Sequence, residues 1–247
     1  MSGVRVTFLG TGDAFSARGG HQAAYRVDSD GSAFLLDCGS SALTSMKRED
    51  IDAGNIDLIL LSHLHGDHFA GLPYLFLEFT YEKHRDRPLT IAGPPGTEER
   101  VLKLYSAAYQ ELAARPACFE TRFVELQPGQ STELCGIAIE AFRVPHQEKE
   151  ISLGFIAGVG GRKILYSGDT GWTEELVTRS QGVDLFICEC CYYETRVDYH
   201  LDYPRLHENR HRFGSKRMVL THLGREVQAH RDDVEIELAY EGMVVEL

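Results

Sequence analysis

The sequence predicts an α/β fold built as one domain over residues 1–247. Short runs rich in β-branched and aromatic residues alternate along the chain with longer segments whose apolar residues recur three and four positions apart. This alternation indicates strands and helices stacked in separate layers, rather than a helix bundle or an all-β barrel. Neither a repeat of roughly 20 to 50 residues nor a long Pro/Gly/Ser-rich linker divides the chain, so a second domain is not expected.

Each element follows from one of these two patterns. Short apolar runs predict strands at 4–9, 23–27, 33–36, 58–61, 89–92, 123–126, 137–142, 152–157, 163–166, 185–188, 218–221 and 243–246. Amphipathic spacing predicts helices at 42–47, 72–80, 98–113, 173–180 and 203–213. Three glycines in the segment 158–161 predict a hairpin turn between two of these strands.

Composition sets further limits. With 43% hydrophobic and 25% charged residues, the chain has the make-up of a folded domain rather than of a disordered or fibrous protein. Its longest uncharged apolar stretch, residues 69–77, is far shorter than the roughly 18 residues that indicate a membrane-spanning helix. The N-terminus lacks the apolar region of a secretory leader, so we expect a cytoplasmic protein without a membrane partner.

The six cysteines give no sign of a zinc knuckle. Cys188, Cys190 and Cys191 are crowded together in a spacing that no paired zinc site uses, and no second Cys-x-x-Cys completes one. We therefore expect the cysteines to be buried reduced thiols.

A formal net charge of −12 opposes broad binding to nucleic acids. One segment, 205–217, nevertheless carries five basic residues against Glu208 alone. These residues are Arg205, Arg210, Arg212, Lys216 and Arg217. They form either a local anion-facing patch or the solvated face of a helix.

Chemically capable side chains follow five of the predicted core strands. Strand 58–61 leads into His63, His65, Asp67 and His68; the other four strands lead into His146, Asp169, Glu189 and His222. Because sites in open α/β sheets form beyond the carboxyl ends of strands, we expect these side chains to converge. Five imidazoles and two carboxylates, Glu189 aside, provide enough ligands for two cations such as Zn²⁺.

The spacing predicts how the two ions divide the ligands. His63 and His65 would share one ion with His146, while Asp67 and His68 would hold the second with His222. Asp169 would bridge the two ions. Paired metals about 3.5–4 Å apart polarise a scissile group and generate a bridging hydroxide nucleophile. Zn²⁺ is the expected metal, with Mn²⁺ and Fe left open.

This pattern resembles the metallo-β-lactamase superfamily, whose fold is a four-layer αββα sandwich with a dinuclear site at one edge. The segments Phe-Leu-Gly-Thr-Gly at 8–12, Gly-Pro-Pro-Gly at 93–96 and Ser-Gly-Asp-Thr at 167–170 are similar to the ribonuclease Z and phosphodiesterase branch. The resemblance implies a metal-dependent hydrolase that is commonly a homodimer. An aspartate at position 169, where β-lactam-cleaving members carry cysteine, disfavours that activity.

The same resemblance implies a catalytic set of Asp67, Glu189 and His200. In ribonuclease Z-like enzymes a glutamate orients a histidine that lies outside the metal ligands and donates a proton to the leaving oxygen. Such a general acid contributes roughly 10²–10⁴-fold. The alternative is that His200 is an ordinary loop residue and Glu189 caps nearby backbone.

The sequence departs from ribonuclease Z in three places. Only 22 residues separate His146 from Asp169, so the long tRNA-binding arm of that family is absent. Cys188 replaces a usual histidine, and residues 201–203 replace usual small residues. With the net charge of −12, these departures make tRNA an unexpected substrate and favour a small or nucleotide-like phosphodiester, including cyclic nucleotides.

Three alternatives stay open at this point. The same metal centre could attack a thioester or a lactone, because the ligands do not reveal the electrophile. A ribonuclease Z-type endonuclease is the second alternative. A non-catalytic metal domain is the third, and the complete ligand set speaks against it.

Overall fold

The computed structural model describes residues 3–29 and 32–247, so Met1 and Ser2 of the N-terminal segment considered above lie outside the described residues. The strands within these ranges are β1 (Arg5–Gly10), β2 (Ala24–Ser29), β3 (Ser32–Leu36), β4 (Ile56–Leu60), β5 (Leu89–Gly93), β6 (Thr121–Glu125), β7 (Ser131–Leu134), β8 (Ile137–Val144), β9 (Ser152–Val159), β10 (Arg162–Tyr166), β11 (Leu185–Glu189), β12 (Arg217–Thr221) and β13 (Val244–Glu246). The α-helices are α1 (Ala42–Arg48), α2 (Gly66–Phe69), α3 (Leu72–Leu77), α4 (Thr97–Ala108), α5 (Gln110–Ala113), α6 (Glu174–Arg179), α7 (Tyr203–Asn209) and α8 (Arg225–Ala229).

The strands form two mixed sheets. The first has the order β13-β1-β2-β3-β4-β5-β6, and its strands from β3 to β6 run parallel. The second has the order β12-β11-β10-β9-β8-β7. Within it, β10, β11 and β12 are parallel, and β8 points the same way because both β8 and β10 are antiparallel to β9. Four strands of the second sheet therefore present their carboxyl ends at one edge.

Alternating side chains place each sheet between two apolar layers. In β4, Leu58 and Leu60 belong to a core cluster shared with the second sheet, whereas Ile59 belongs to a cluster that includes α1 and α3. In β11, Ile187 faces the shared cluster and Phe186 faces a cluster that includes α6 and α7. This period of two is what a strand buried on both faces requires. The arrangement is the predicted four-layer αββα sandwich.

Several predictions about individual elements need correction. The helix expected over 98–113 is divided into α4 and α5 by Tyr109, whose φ and ψ of −140° and 64° are not helical. Strand β7 and helices α2 and α8 were not predicted, because their short segments show neither apolar pattern clearly. The glycine hairpin is confirmed: Gly160 and Gly161 have φ values of 57° and 75° between β9 and β10.

One other expectation is partly wrong, and one pair of open alternatives is decided. Cys118 and Cys135 are exposed, while the other four cysteines are buried and no disulfide links the described ones. The basic segment 205–217 is not a free anion-binding patch, because most of its charges face acidic partners. These pairs are Arg210 with Glu235, Arg212 with Glu174, Lys216 with Asp184 and Arg217 with Glu237.

No helix in the described part of the chain is both long enough and apolar enough to cross a bilayer.

Candidate metal centre

The two sheets bring the chemically capable residues together at one edge. His63 and the residues up to His68 follow β4 of the first sheet, and α2 begins directly after His65. The other residues follow β8, β10, β11 and β12, whose carboxyl ends lie side by side in the second sheet. All of the predicted ligands fall into two neighbouring groups, so the predicted convergence is observed.

Three imidazoles make up the first group: His63, His65 and His146, called here the imidazole group. The His63 ring centroid lies 4.7 Å from those of both His65 and His146. His65 Nδ1 is 3.0 Å from His146 Nε2. Outside the group, the side-chain amide of Gln147 lies 2.8 Å from His65 Nε2, and His146 Nδ1 donates to the Tyr199 carbonyl at 2.9 Å.

The second group, called here the carboxylate group, comprises Asp67, His68, Asp169 and His222, all of which are buried. Asp67 Oδ2 lies 3.2 Å from His68 Nε2 and 3.3 Å from His222 Nε2. Asp169 Oδ2 lies 3.2 Å from the same two nitrogens. His222 has a φ of 54°, an uncommon backbone conformation for a residue other than glycine.

Asp169 stands between the two groups. Its Oδ2 is 3.9 Å from the Nε2 atoms of His63 and His146, in addition to its two contacts in the carboxylate group. One carboxylate thus reaches ligand atoms of both groups, which is the arrangement that a bridging role requires.

Asp37 was not predicted from the sequence; it lies in the core and contacts His68 of the carboxylate group. Its fully buried carboxylate accepts hydrogen bonds from His68 Nδ1 at 2.7 Å and from the Tyr166 hydroxyl at 2.5 Å. It also accepts from the backbone N–H and the hydroxyl of Ser62, both at 2.7 Å. Asp37 directly follows β3, so the same strand-end rule that predicted the candidate ligands could have predicted this residue.

The charges differ between the two groups. Burial, reinforced by neighbouring imidazoles, lowers the pKa of His63 well below its usual value, and burial also lowers the pKa values of His65 and His146. Burial opposes protonation of His68 too, but Asp169 and Asp37 outweigh it and raise the His68 pKa well above its usual value. Asp169 likewise outweighs burial and raises the pKa of His222. The imidazole group is therefore neutral, with nitrogen lone pairs available.

Unpaired buried atoms test whether a cation fits here. His63 Nε2, His68 Nε2, Asp169 Oδ1 and His222 Nδ1 are buried and have no hydrogen-bond partner among the described residues. Such atoms are costly unless a ligand or ion satisfies them. Neighbouring donor atoms stand 3.0–3.9 Å apart, and all those of one group lie within 4.8 Å of one another. A separation of about 3.4 Å is expected around tetrahedral zinc with bonds of roughly 2.0–2.1 Å. The residues therefore fit a divalent metal.

His200 lies beside both groups and is held by Glu189. Its Nδ1 is 2.8 Å from Glu189 Oε1, and its ring centroid is 4.9 Å from that of His146 and 5.6 Å from that of His222. Burial lowers the pKa of His200, but the charge and hydrogen bond of Glu189 outweigh it and raise the pKa.

Glu189 also accepts hydrogen bonds from three backbone N–H groups, those of Thr170, Cys191 and Leu201. Both sequence interpretations of Glu189 therefore describe contacts that exist. The carboxylate caps local backbone and at the same time contacts His200.

The fold and this cluster define a metal-dependent hydrolase of the metallo-β-lactamase fold. A family model described as "Anti-Pycsar protein Apyc1" matches residues 4–244, and the chain belongs to that family.

Similar proteins agree with this assignment. Ribonuclease Z of Methanosarcina acetivorans is 26% identical over an alignment 284 positions long, gaps included, which covers 94% of this chain and 90% of that protein. The structure of human tRNase Z, short form, has a TM-score of 0.79 at 27% identity and covers 98% of each chain. The metallo-β-lactamase fold protein YhfI from Bacillus subtilis has a TM-score of 0.80 at 22% identity, with both chains fully covered. The predicted resemblance to ribonuclease Z-like proteins is confirmed.

Proposed function

We propose that this protein is a dinuclear metal phosphodiesterase that hydrolyses small, nucleotide-like phosphodiesters, with cyclic nucleotides as the first candidates. Membership in a cyclic-nucleotide-degrading family supports the substrate class. The observation that carries the proposal is the pair of His200 and Glu189, which stands beside the two ligand groups but outside the proposed ligand set.

The proposed ligands divide between two ions, zinc being the expected metal. His63, His65 and His146 would hold one ion, Asp67, His68 and His222 the other, and Asp169 would contact both. Ions bound there would polarise the phosphate and lower the pKa of a water molecule.

The residues of the chain would then carry the proton transfer. The water molecule would give one proton to solvent, its oxygen would form a bond to phosphorus, and the ester P–O bond would break. His200 would give a proton from Nε2 to the departing oxygen and take one back from solvent before the next turnover. Glu189 would keep the imidazole oriented through Nδ1, and its charge and hydrogen bond, which raise the pKa of His200 against burial, would favour the protonated form. Burial acts against ionisation of Asp67, but His68 lowers its pKa, so Asp67 would stay ionised within the carboxylate group.

The segment between His146 and Asp169 supports a small substrate. It is occupied by β9, β10 and their short glycine turn, so no arm extends from it to hold a large RNA. The net charge of −12 acts in the same direction, because a large polyanion is held by many cationic contacts.

A substrate panel with metal analysis tests the proposal. Zinc-loaded protein would be assayed on cyclic nucleotides, bis(p-nitrophenyl) phosphate, a precursor tRNA, an acyl thioester and a lactone, with metal content measured on the same sample. We expect about two metal ions per chain and turnover of the small phosphodiesters. Preferred turnover of the thioester or lactone would contradict the phosphodiesterase assignment, and trailer removal from the tRNA at a comparable rate would contradict the limit on substrate size.

We also propose a homodimer located in the cytoplasm. Light scattering in solution and fractionation of the source cells would test these two statements separately.

A further inference from the structure

Two phenol rings flank the imidazole of His200. The ring centroid of Tyr199 lies 5.4 Å from that of His200 at an interplanar angle of 65°, and that of Tyr192 lies 6.0 Å away at 68°. The Tyr199 side of this pair is open to solvent, since the residue is 49% exposed, and Tyr192 is partly exposed. An accessible aromatic surface thus borders the proposed proton donor.

The backbone holds both rings in place. The Tyr199 carbonyl accepts a hydrogen bond from His146 Nδ1. Tyr192 is fixed on both sides, because its N–H donates to Leu201 at 3.2 Å and its carbonyl accepts from Tyr203 at 2.9 Å. Neither phenol oxygen makes a hydrogen bond within the described part of the chain. The main chain that carries both rings is therefore held in place by hydrogen bonds, and the exposed Tyr199 ring stands beside His200.

We infer that Tyr199, which with Tyr192 borders His200, forms a stacking surface for the base of a nucleotide substrate. This inference rests on the proposed function. A general acid must lie within hydrogen-bond reach of the leaving oxygen, so the nucleoside attached to that oxygen extends past His200 toward these rings. Aromatic side chains stack on the flat face that every base has, so this contact depends little on which base is present. The surface accordingly selects substrates that carry a base over bare cyclic phosphates, without choosing strongly among the bases.

A pair of substrates that differ only in the base provides the test. A 3′,5′-cyclic nucleotide and the matching methyl riboside 3′,5′-cyclic phosphate, which has no base, would be compared on the zinc-loaded wild type and Tyr199→Ala. We expect Tyr199→Ala to raise KM for the cyclic nucleotide roughly tenfold and to leave the base-free compound within about twofold. Tyr199→Phe keeps the ring and should behave as the wild type on both substrates.

Tyr240→Ala is the matched control, because Tyr240 is 57% exposed and makes no aromatic contact with His200. It should leave both KM values unchanged.

An equal loss on both substrates with Tyr199→Ala would overturn the inference, because such a loss reports on the backbone contact to His146. No change on either substrate would overturn it as well. The zinc content and Tm of each variant would be measured first. If Tyr199→Ala fails to fold, Tyr199→Leu replaces it, because leucine keeps apolar bulk without a ring. Failure of the proposed function looks different, since the wild type itself would then hydrolyse neither compound.

Discussion

The imidazole group and the carboxylate group adjoin each other, yet they are built in opposite ways. The carboxylate group is entirely buried, and Asp37 fixes His68 from within the core. The imidazole group reaches the surface, where His65 is exposed and contacts the side chain of Gln147. The carboxylate group is therefore enclosed by the core, whereas the imidazole group combines the buried His63, whose Nδ1 lies 3.0 Å from Ser62 Oγ, with two less buried residues at the edge.

Electrostatics follows the same division. The imidazole group has no carboxylate of its own and depends on Asp169 for negative charge, whereas the carboxylate group combines two carboxylates with two imidazoles. A cation in the second group is thus neutralised locally. The comparison indicates that the two proposed metal positions differ in support and in charge, and that Asp169 couples them.

Removal of the coupling residue should have the largest effect. Asp169→Asn keeps the shape but removes the charge that both groups share, so we expect metal content to fall below about two per chain and activity to drop by more than about a thousandfold. Elemental analysis and kinetics on small phosphodiesters would check this. Asp86→Asn, at an exposed position, serves as the control. Full metal content together with full activity in Asp169→Asn would refute the coupling.

The next effect concerns His200, which lies beside both groups. His200→Ala should retain the metals and lower kcat by roughly 10²-fold or more on esters with poor alkoxide leaving groups. The loss should be smaller for p-nitrophenolate, because that group departs without a proton. His211→Ala, at an exposed histidine, is the matched control. A uniform loss across leaving groups, or loss of metal, would assign His200 to binding or structure instead.

A substitution at Asp37 separates the two groups directly. Asp37→Asn weakens the acceptor for His68 Nδ1, so we expect the metal affinity of the carboxylate group to fall roughly 10- to 100-fold while the imidazole group is spared. Competition with a chelator would resolve the two affinities. Gln147→Ala should show the reverse pattern with a smaller change. Equal weakening of both positions by Asp37→Asn would remove the distinction between the groups.

The smallest expected effect involves the loop between β11 and α7, which contains His200. Glu226 accepts hydrogen bonds from the backbone N–H groups of Tyr193, Glu194 and Thr195 in this loop. Burial acts against ionisation, but a hydrogen bond from the Thr195 hydroxyl, together with these three backbone bonds, lowers the pKa of Glu226 to about 2. The stabilisation is therefore present above the unfolded-state pKa of about 4.3 and is lost as the pH falls from there toward 2.

We expect Glu226→Gln to lower Tm by roughly 2–4 °C at pH 7 and to differ less from the wild type as the pH approaches 3. Thermal unfolding of both proteins across this range would check the sign. A difference in Tm that is constant or grows toward low pH would show that Glu226 does not stabilise the loop through its charge.

The sequence alone determined much of the site. Four of the candidate ligands lie within six positions after an apolar strand: His63, His65, Asp67 and His68. Such local spacing can be recognised without knowledge of the fold. His146, Asp169 and His222 were found by the rule that strand ends converge. That rule works because parallel strands put their carboxyl ends at one edge of a sheet.

Only the tertiary structure decided what depends on contacts between distant residues. Asp37 became part of the centre because β3 pairs with β4 and brings its carboxylate under His68. The basic residues of 205–217 do not form a free patch, because acidic side chains from distant segments form ion pairs with them. Tyr199 came to border His146 through a carbonyl contact across 53 positions. Periodicity and spacing record which face a residue presents, whereas pairing of charges and rings is set by the packing of whole layers, which no local pattern encodes.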